Sequence, residues 1–264
     1  MKNTFVIAFS TRKGGVLKTS LTVNVAGVLS RKYKVLIVDT DAQGDCLLSF
    51  GKNPDNVENT LFEVLTGKIP AEKAVIKLTK NIDIIPANDR LESLDFKVIG
   101  NFVEFPRPFD LMRESLSSIA KNYDFVLVDS PAHFGLMQGN IIKFVDKLFI
   151  PFQPETYSMR SLVKILSAIS EFKQDHGAKA EVGGVIATIV DTKTVLHSDI
   201  LAKCRQFCQG AGITLFETVI PKSIRFASSV AYGGLPSTLH DPDHPTSRKY
   251  FDLYQEIREV LKYG

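Results

Sequence analysis

The sequence has no tryptophan, only three cysteines and a formal net charge of only +3 in 264 residues. The cysteines, at positions 46, 204 and 208, are too few and too unevenly spaced for a disulfide framework or a four-thiolate metal site. The small net charge excludes a strongly basic surface over the whole molecule, so any contact with nucleic acid must come from a local patch.

Long hydrophobic runs are also missing. No apolar stretch approaches the roughly 18 residues that a membrane-spanning helix needs. Near the start, the charged residues Arg12 and Lys13 follow TFVIAF too closely for the hydrophobic region of a signal peptide. We therefore expect a cytoplasmic protein.

Apolar residues occur in two patterns that alternate along the chain. Short, nearly continuous apolar runs rich in β-branched residues are typical of strands covered on both faces. They are TFVIAF (4–9), KVLIVD (34–39), IDIIPA (82–87), DFVLVD (124–129), KLFIPF (147–152) and GGVIATIV (183–190). Helical spacing of apolar residues is found over 18–32, 109–121, 157–175 and 195–209. The alternation predicts an α/β fold, a doubly wound and mainly parallel sheet flanked by helices, in a single domain over residues 1–264.

A glycine-bearing turn lies between the first predicted strand and the first predicted helix. In such a turn, successive backbone N–H groups converge on phosphate oxygens and the helix N-terminus adds positive potential. The segment 13–20 reads KGGVLKTS. Here Lys18 would neutralise phosphate charge and Thr19 would offer its hydroxyl to Mg²⁺.

Carboxylates end two of the predicted strands. Asp39 and Asp41, two residues apart, project to the same side of an extended chain, and Asp129 ends the run DFVLVD. Ligands of open α/β sheets bind at the carboxyl ends of the strands. The three carboxylates are therefore predicted to lie at the same edge as the glycine-bearing turn.

These segments resemble the motifs of the ParA/MinD ATPases, a family of P-loop ATPases with a deviant Walker A motif. KGGVLKTS is similar to their phosphate loop, VDTDAQGD (38–45) to their second motif and LVDSPAHFG (127–135) to their Walker B segment. TVIPKSIRFASSVAYGGLP (218–236) resembles a further stretch of ParA proteins. The resemblance runs nearly end to end and implies ATP or ADP and Mg²⁺ as ligands.

The resemblance implies a role for each matching residue. Lys13 would reach across an ATP-dependent sandwich homodimer to the phosphates of the partner, and Asp41 would orient the attacking water. Thr19, Asp39 and Asp129 would hold Mg²⁺ and its water shell. The nucleotide site would comprise Lys13, Gly14, Gly15, Val16, Leu17, Lys18, Thr19, Ser20 and Pro221, with Pro221 bordering the adenine.

Leu17 departs from the family pattern, which has glycine before the lysine. Glycine adopts a positive φ there without cost, whereas leucine has a left-handed penalty of roughly 1–2 kcal/mol. Its side chain must also find room near the phosphates or the dimer partner. We expect an ATPase whose activity is weakened by Leu17, and the alternative is a nucleotide-weak or nucleotide-independent DNA-binding or scaffold protein on the same fold.

The resemblance to ParA proteins also implies partners. Nonspecific DNA would be bound by a basic patch that contains Lys193 and Arg225. Lys222, Arg248 and Lys249 would extend this patch. A ParB-like centromere-binding protein would stimulate hydrolysis, and the ATP-bound protein would associate with the nucleoid. A MinD-like membrane ATPase is a further alternative, but the mixed charges of the last helical segment favour a helix packed on the domain.

Overall fold

The computed structural model describes residues 4–191, 193–222 and 234–262. Within these ranges eight strands form one sheet in the order β3-β4-β2-β5-β1-β6-β7-β8, and every neighbouring pair is parallel except β3 and β4. The strands are β1 (Phe5–Phe9), β2 (Val35–Asp39), β3 (Ile76–Lys77), β4 (Ile82–Ile85), β5 (Phe125–Asp129), β6 (Lys147–Phe152), β7 (Glu181–Val190) and β8 (Ile220–Pro221). The predicted doubly wound, mainly parallel sheet is confirmed.

Helices cover both faces of this sheet. They are α1 (Lys18–Leu29), α2 (Asp45–Leu48), α3 (Leu61–Leu65), α4 (Leu94–Ile99), α5 (Leu111–Ala120), α6 (Leu136–Phe144), α7 (Ser158–His176), α8 (Val195–Gly210), α9 (Ser237–His240) and α10 (Pro245–Leu261). The four long helices predicted from periodicity correspond to α1, α5, α7 and α8. The stretch 88–108, which fitted neither pattern, holds a short 3₁₀ segment and α4.

The core consists of two apolar layers, one on each face of the sheet. The first layer contacts α3 to α8, and the second contacts α1, α2 and α10. Along β1, Val6 and Ala8 belong to the first layer, whereas Ile7 and Phe9 belong to the second. Because both faces are covered, the alternating residues are apolar on both sides, which explains the continuous runs in the sequence.

The last helix, α10, packs on the domain. Its residues Tyr250, Leu253, Ile257 and Leu261 are buried in the second layer. The prediction that this segment packs on the body of the domain is therefore confirmed. Among the described helices, none combines the length and hydrophobicity needed to cross a lipid bilayer.

Helix α1 is held against α9 by a close approach at Gly27. The side chain of Asn24 accepts hydrogen bonds from the Ser237 hydroxyl at 2.9 Å and the Thr238 N–H at 3.1 Å, and the Thr238 hydroxyl donates to the Asn24 carbonyl at 3.0 Å. A Cβ at Gly27 would lie 2.3 Å from Thr238 Oγ1. Glycine is therefore required for this contact.

We expect Gly27→Ala to lower the free energy of unfolding by about 1–3 kcal/mol, because the buried Thr238 is fixed by its hydrogen bonds and cannot move aside. Urea unfolding followed by circular dichroism measures the effect. Gly210→Ala is the matched control, since no atom lies within 4 Å of a Cβ placed there at the end of α8. An equal effect of the two changes would contradict the close approach.

Candidate phosphate and cation site

The loop between β1 and α1 has the backbone conformation of a phosphate cradle. Gly15 has φ +70°, and a Cβ at Gly14 or Gly15 would meet no atom within 4 Å. Leu17 follows with φ 69° and ψ 28°, in the left-handed region, and α1 begins at Lys18. The positive φ expected at position 17 is confirmed, although the residue there is not glycine.

The side chain of Leu17 is partly buried and packs against the second apolar layer. The Leu17 carbonyl accepts the first hydrogen bond of α1 from Leu21 N–H at 2.8 Å. These contacts within the chain hold the left-handed conformation. Its conformational free-energy cost is therefore part of the free energy of folding.

The ammonium group of Lys18 lies inside this loop. Its side chain is buried, and Nζ donates a hydrogen bond to the Lys13 carbonyl at 3.2 Å. Burial lowers the pKa of Lys18, while the carboxylates of Asp129 and Asp41 act in the opposite direction. Lys18 therefore faces the same region as these carboxylates.

Strand register places the two strand-ending carboxylates side by side. Phe9 of β1 pairs with Asp129 of β5, which pairs in turn with Asp39 of β2. Asp129 accepts hydrogen bonds from the hydroxyls of Thr19 at 2.6 Å and Thr22 at 3.2 Å. The start of α1 is thereby attached to the edge of the sheet.

Asp39 is oriented by backbone groups. Its carboxylate accepts hydrogen bonds from the N–H of Asp41 at 3.1 Å and of Cys46 at 3.2 Å. Asp41 itself is only partly buried, and its Oδ1 accepts from the Gln43 N–H at 3.2 Å. Asp39 is thus fixed at the base of the site, while Asp41 lies nearer the surface.

Burial and neighbouring carboxylates raise the pKa of both buried carboxyl groups. Burial raises the pKa of Asp129 to about 6, against the opposing effects of Thr19, a thiol and Lys18. The pKa of Asp39 is raised well above its usual range, first by burial and then by Asp129. Two adjacent buried carboxylates resist simultaneous ionisation, and a cation between them would favour their ionised forms. The pair is suited to hold positive charge.

Lys13 is engaged by residues that sequence reasoning did not identify. Its Nζ donates to Gln153 Oε1 at 3.0 Å and forms an ion pair with Glu155 Oε2 at 2.5 Å. The Gln153 amide donates in turn to Glu155 Oε1 at 2.6 Å. The available signal was position, because both residues directly follow the run KLFIPF and therefore lie at the same sheet edge.

Cys46 is a second residue that the motifs did not single out. It begins the first turn of α2 beside Asp45, is fully buried, and its thiol lies 3.4 Å from Asp129 Oδ2. Its place in DAQGDC, directly after the second motif, was the only signal in the sequence.

The described residues predicted to contact adenine or DNA lie away from this centre. Pro221 is in β8, and Lys193 follows β7; both strands are at the far end of the sheet order from β2. The Lys222 N–H donates to the Val190 carbonyl at 3.2 Å, and Lys193 and Lys222 are both exposed. Arg225 lies outside the described residues. Arg248 and Lys249, on α10, face Asp243 and Asp252 respectively.

The glycine-bearing loop, the buried lysine at the helix start and the carboxylates of adjacent strands define the class of P-loop nucleotide-binding domains. The model of the AAA domain family AAA_31 matches residues 4–182. Similarity to known proteins extends over almost the whole chain.

A ParA family protein of Mycoplasma pneumoniae is 28% identical, covering 97% of each chain. The chromosome partitioning protein ParA of Caulobacter vibrioides is 27% identical, covering 96% of this chain and 93% of the relative. Cobyrinic acid a,c-diamide synthase from Mycobacterium smegmatis, solved with bound ATP analog and magnesium, shares the fold with a TM-score of 0.85 at 22% identity, covering 99% of this chain and 97% of the other. The chain belongs to the AAA domain family and is a P-loop ATPase of the ParA/MinD type.

The left-handed conformation of Leu17 predicts an unusual order of variant stabilities. Leu17→Gly removes both the strain and the side-chain packing, whereas Leu17→Ala removes the packing and keeps the strain. We expect Leu17→Gly to be more stable than Leu17→Ala by about 1 kcal/mol in urea unfolding. Where φ is negative inside a helix or strand, alanine is the more stable of the two, so that order here would contradict the assigned conformation.

Proposed function

We propose that this chain is a ParA-type partitioning ATPase that binds ATP with Mg²⁺. The observation that carries the proposal is the convergence of the Lys18 ammonium, the Thr19 hydroxyl and the Asp129 carboxylate at one edge of the sheet. Similarity to a chromosome partitioning protein over nearly the full length supports the partitioning role. Plasmid or chromosome segregation is the corresponding process.

The donor set fits a hard divalent cation with a phosphate ligand. Mg²⁺ prefers oxygen ligands and is usually held by few protein groups together with phosphates and waters. Thr19 would ligate it through its hydroxyl, and Asp39 and Asp129 would hold its water shell. The open space beside Gly14 and Gly15 suits backbone N–H groups that approach phosphate oxygens.

In the proposed mechanism, catalysis comes from positioning and charge neutralisation. Lys18 would hold the β and γ phosphates and Asp41 would orient the attacking water. Mg²⁺, when bound, would supply further neutralisation of the phosphate charge. Lys13 acts across a sandwich homodimer, and must leave Glu155 to do so. Pro221 borders the adenine.

The proposed dimer binds nonspecific DNA through Lys193, Lys222 and Arg225. Lys193 and Lys222 are both exposed and follow the ends of the neighbouring strands β7 and β8. Contacts of this kind to phosphates give salt-sensitive binding without sequence preference. A ParB-like partner stimulates hydrolysis and so releases the dimer from DNA, which gives a cytoplasmic protein that is nucleoid-associated when ATP-bound.

The nucleotide site is tested by titrating the full chain with ATP and Mg²⁺ in a calorimeter. We expect Lys18→Ala to weaken binding roughly hundredfold, because hydrogen bonds to a charged group each contribute about 1.5–3 kcal/mol. Lys32→Ala is the control, since Lys32 is exposed beyond the opposite end of α1. If the unaltered chain bound DNA but no nucleotide, the proposal would give way to a nucleotide-independent DNA-binding protein.

DNA binding is tested by charge reversal. We expect the double change Lys193→Glu and Lys222→Glu to lower the affinity for duplex DNA, in the presence of Mg²⁺ and ATP, by at least about tenfold at low salt and to flatten its salt dependence. Fluorescence anisotropy measures both. Lys80→Glu with Lys121→Glu makes the same charge change at exposed positions before β4 and β5, at the opposite sheet edge. Equal losses in the two double variants would show a general charge effect and no patch.

A further inference from the structure

Cys46 places a thiol among the carboxylates of the candidate site. The cluster comprises Asp39, Cys46 and Asp129, which are all fully buried. Each residue offers one ligand atom, and these three atoms lie within 4.8 Å of one another. The Cys46 Sγ lies 3.4 Å from Asp129 Oδ2, and the Cys46 N–H donates to Asp39 at 3.2 Å. One residue therefore contacts both carboxylates.

The charges around these carboxylates are not balanced by their direct partners. The described hydrogen-bond donors to Asp39 are two backbone N–H groups, and those to Asp129 are two hydroxyls and the thiol. None of these donors carries a charge, and Lys18 donates instead to a backbone carbonyl. Buried carboxylates without a charged partner are normally neutralised or coordinate a metal. Independently of the thiol, the carboxylate pair is therefore suited to hold a cation.

The thiol adds a ligand that Mg²⁺ does not use and that other divalent cations prefer. Mg²⁺ takes oxygen ligands and has little affinity for sulfur, whereas Zn²⁺ binds thiolates, carboxylates and water in tetrahedral sites. We propose that Asp39, Cys46 and Asp129 form a site for a thiophilic divalent cation of the zinc class. On binding, Cys46 Sγ forms a bond to the cation and its proton is released to solvent, and each aspartate supplies one oxygen.

Such a cation would compete with the proposed nucleotide ligand, and this consequence rests on the proposed function. The Thr19 hydroxyl donates to Asp129 Oδ2 at 2.6 Å, the same oxygen that lies nearest the thiol. A cation bound directly to Asp129 takes over this oxygen and disturbs the position of Thr19. Zinc occupancy and binding of Mg²⁺ with ATP therefore exclude each other.

The site is tested with Co²⁺ as a spectroscopic substitute for Zn²⁺. The full chain, freed of metal by chelation and without added nucleotide, is titrated with Co²⁺ while thiolate-to-cobalt charge-transfer absorption is recorded. We expect one Co²⁺ per chain, displaced by Zn²⁺. The absorption is lost in Cys46→Ser and Cys46→Ala, and far-ultraviolet circular dichroism shows whether each variant is folded.

The other two cysteines provide the matched control. Cys204 and Cys208 lie on α8 with their sulfurs 4.0 Å apart, and both are buried in the first layer. The double change Cys204→Ser and Cys208→Ser should keep the charge-transfer absorption. Absence of the absorption in the unaltered chain, its persistence in folded Cys46 variants, or its loss in the double variant alone would each overturn the proposal.

A separate calorimetric titration keeps this inference distinct from the proposed function. With free Zn²⁺ at ten times its own Kd, we expect the apparent affinity for ATP with Mg²⁺ to fall about elevenfold in the unaltered chain. In Cys46→Ser the same concentration of free Zn²⁺ should change the apparent affinity for ATP with Mg²⁺ by less than about twofold. A cobalt site in a chain that binds no ATP would refute the proposed function and leave the metal site standing. A chain that binds ATP but shows no cobalt site would refute the metal site and leave the proposed function standing.

Discussion

The register of three neighbouring strands is the constraint on which the candidate site depends. β5 lies between β1 and β2, so that Asp129 is paired with Phe9 on one side and Asp39 on the other. A shift of one residue would turn Asp129 to the opposite face of the sheet and separate it from Thr19. The apolar residues of both layers fix this register, because any shift would expose some of them and bury polar ones. The packing of the core and the geometry of the site are therefore set by the same pairing.

This arrangement concentrates unfavourable energy at one edge. Two carboxyl groups are buried beside each other, Lys18 loses hydration, and Leu17 adopts a backbone conformation that glycine would take without strain. Each of these costs is acceptable only because the surrounding sheet and helices are rigid and well packed. Groups held in this way meet a phosphate or a cation without having to reorganise, which is the condition for strong electrostatic stabilisation. The same argument explains why one additional group, the Cys46 thiol, changes which cations the edge can hold.

Sequence reasoning found the parts of the molecule that repeat a local pattern. Continuous apolar runs predicted six of the eight described strands, and the conformation at Leu17 followed from its place in the loop motif. The contacts of Lys13 with Glu155 and of Cys46 with Asp129 could not be predicted, because each depends on how segments distant in the chain meet. The strands β3 and β8 were equally inaccessible, since a strand of two residues carries no periodic signal. The packing of the Leu17 side chain could not be predicted either, because the motif describes the backbone and says nothing about the apolar layer beneath it.

The crossing order of the strands also determines when the site can form during synthesis and folding. The hydrogen bond from Thr19 to Asp129 joins residues 110 positions apart, and those between α1 and α9 span 213 and 214 positions. Closing such long loops costs entropy before any contact is gained, so folding is expected to be slow relative to a helical bundle of the same size. A nascent chain on the ribosome carries its glycine-bearing loop long before β5 has emerged. The loop's lysines are thus synthesised well before Asp129 and Glu155, the distant carboxylates that face them in the folded domain.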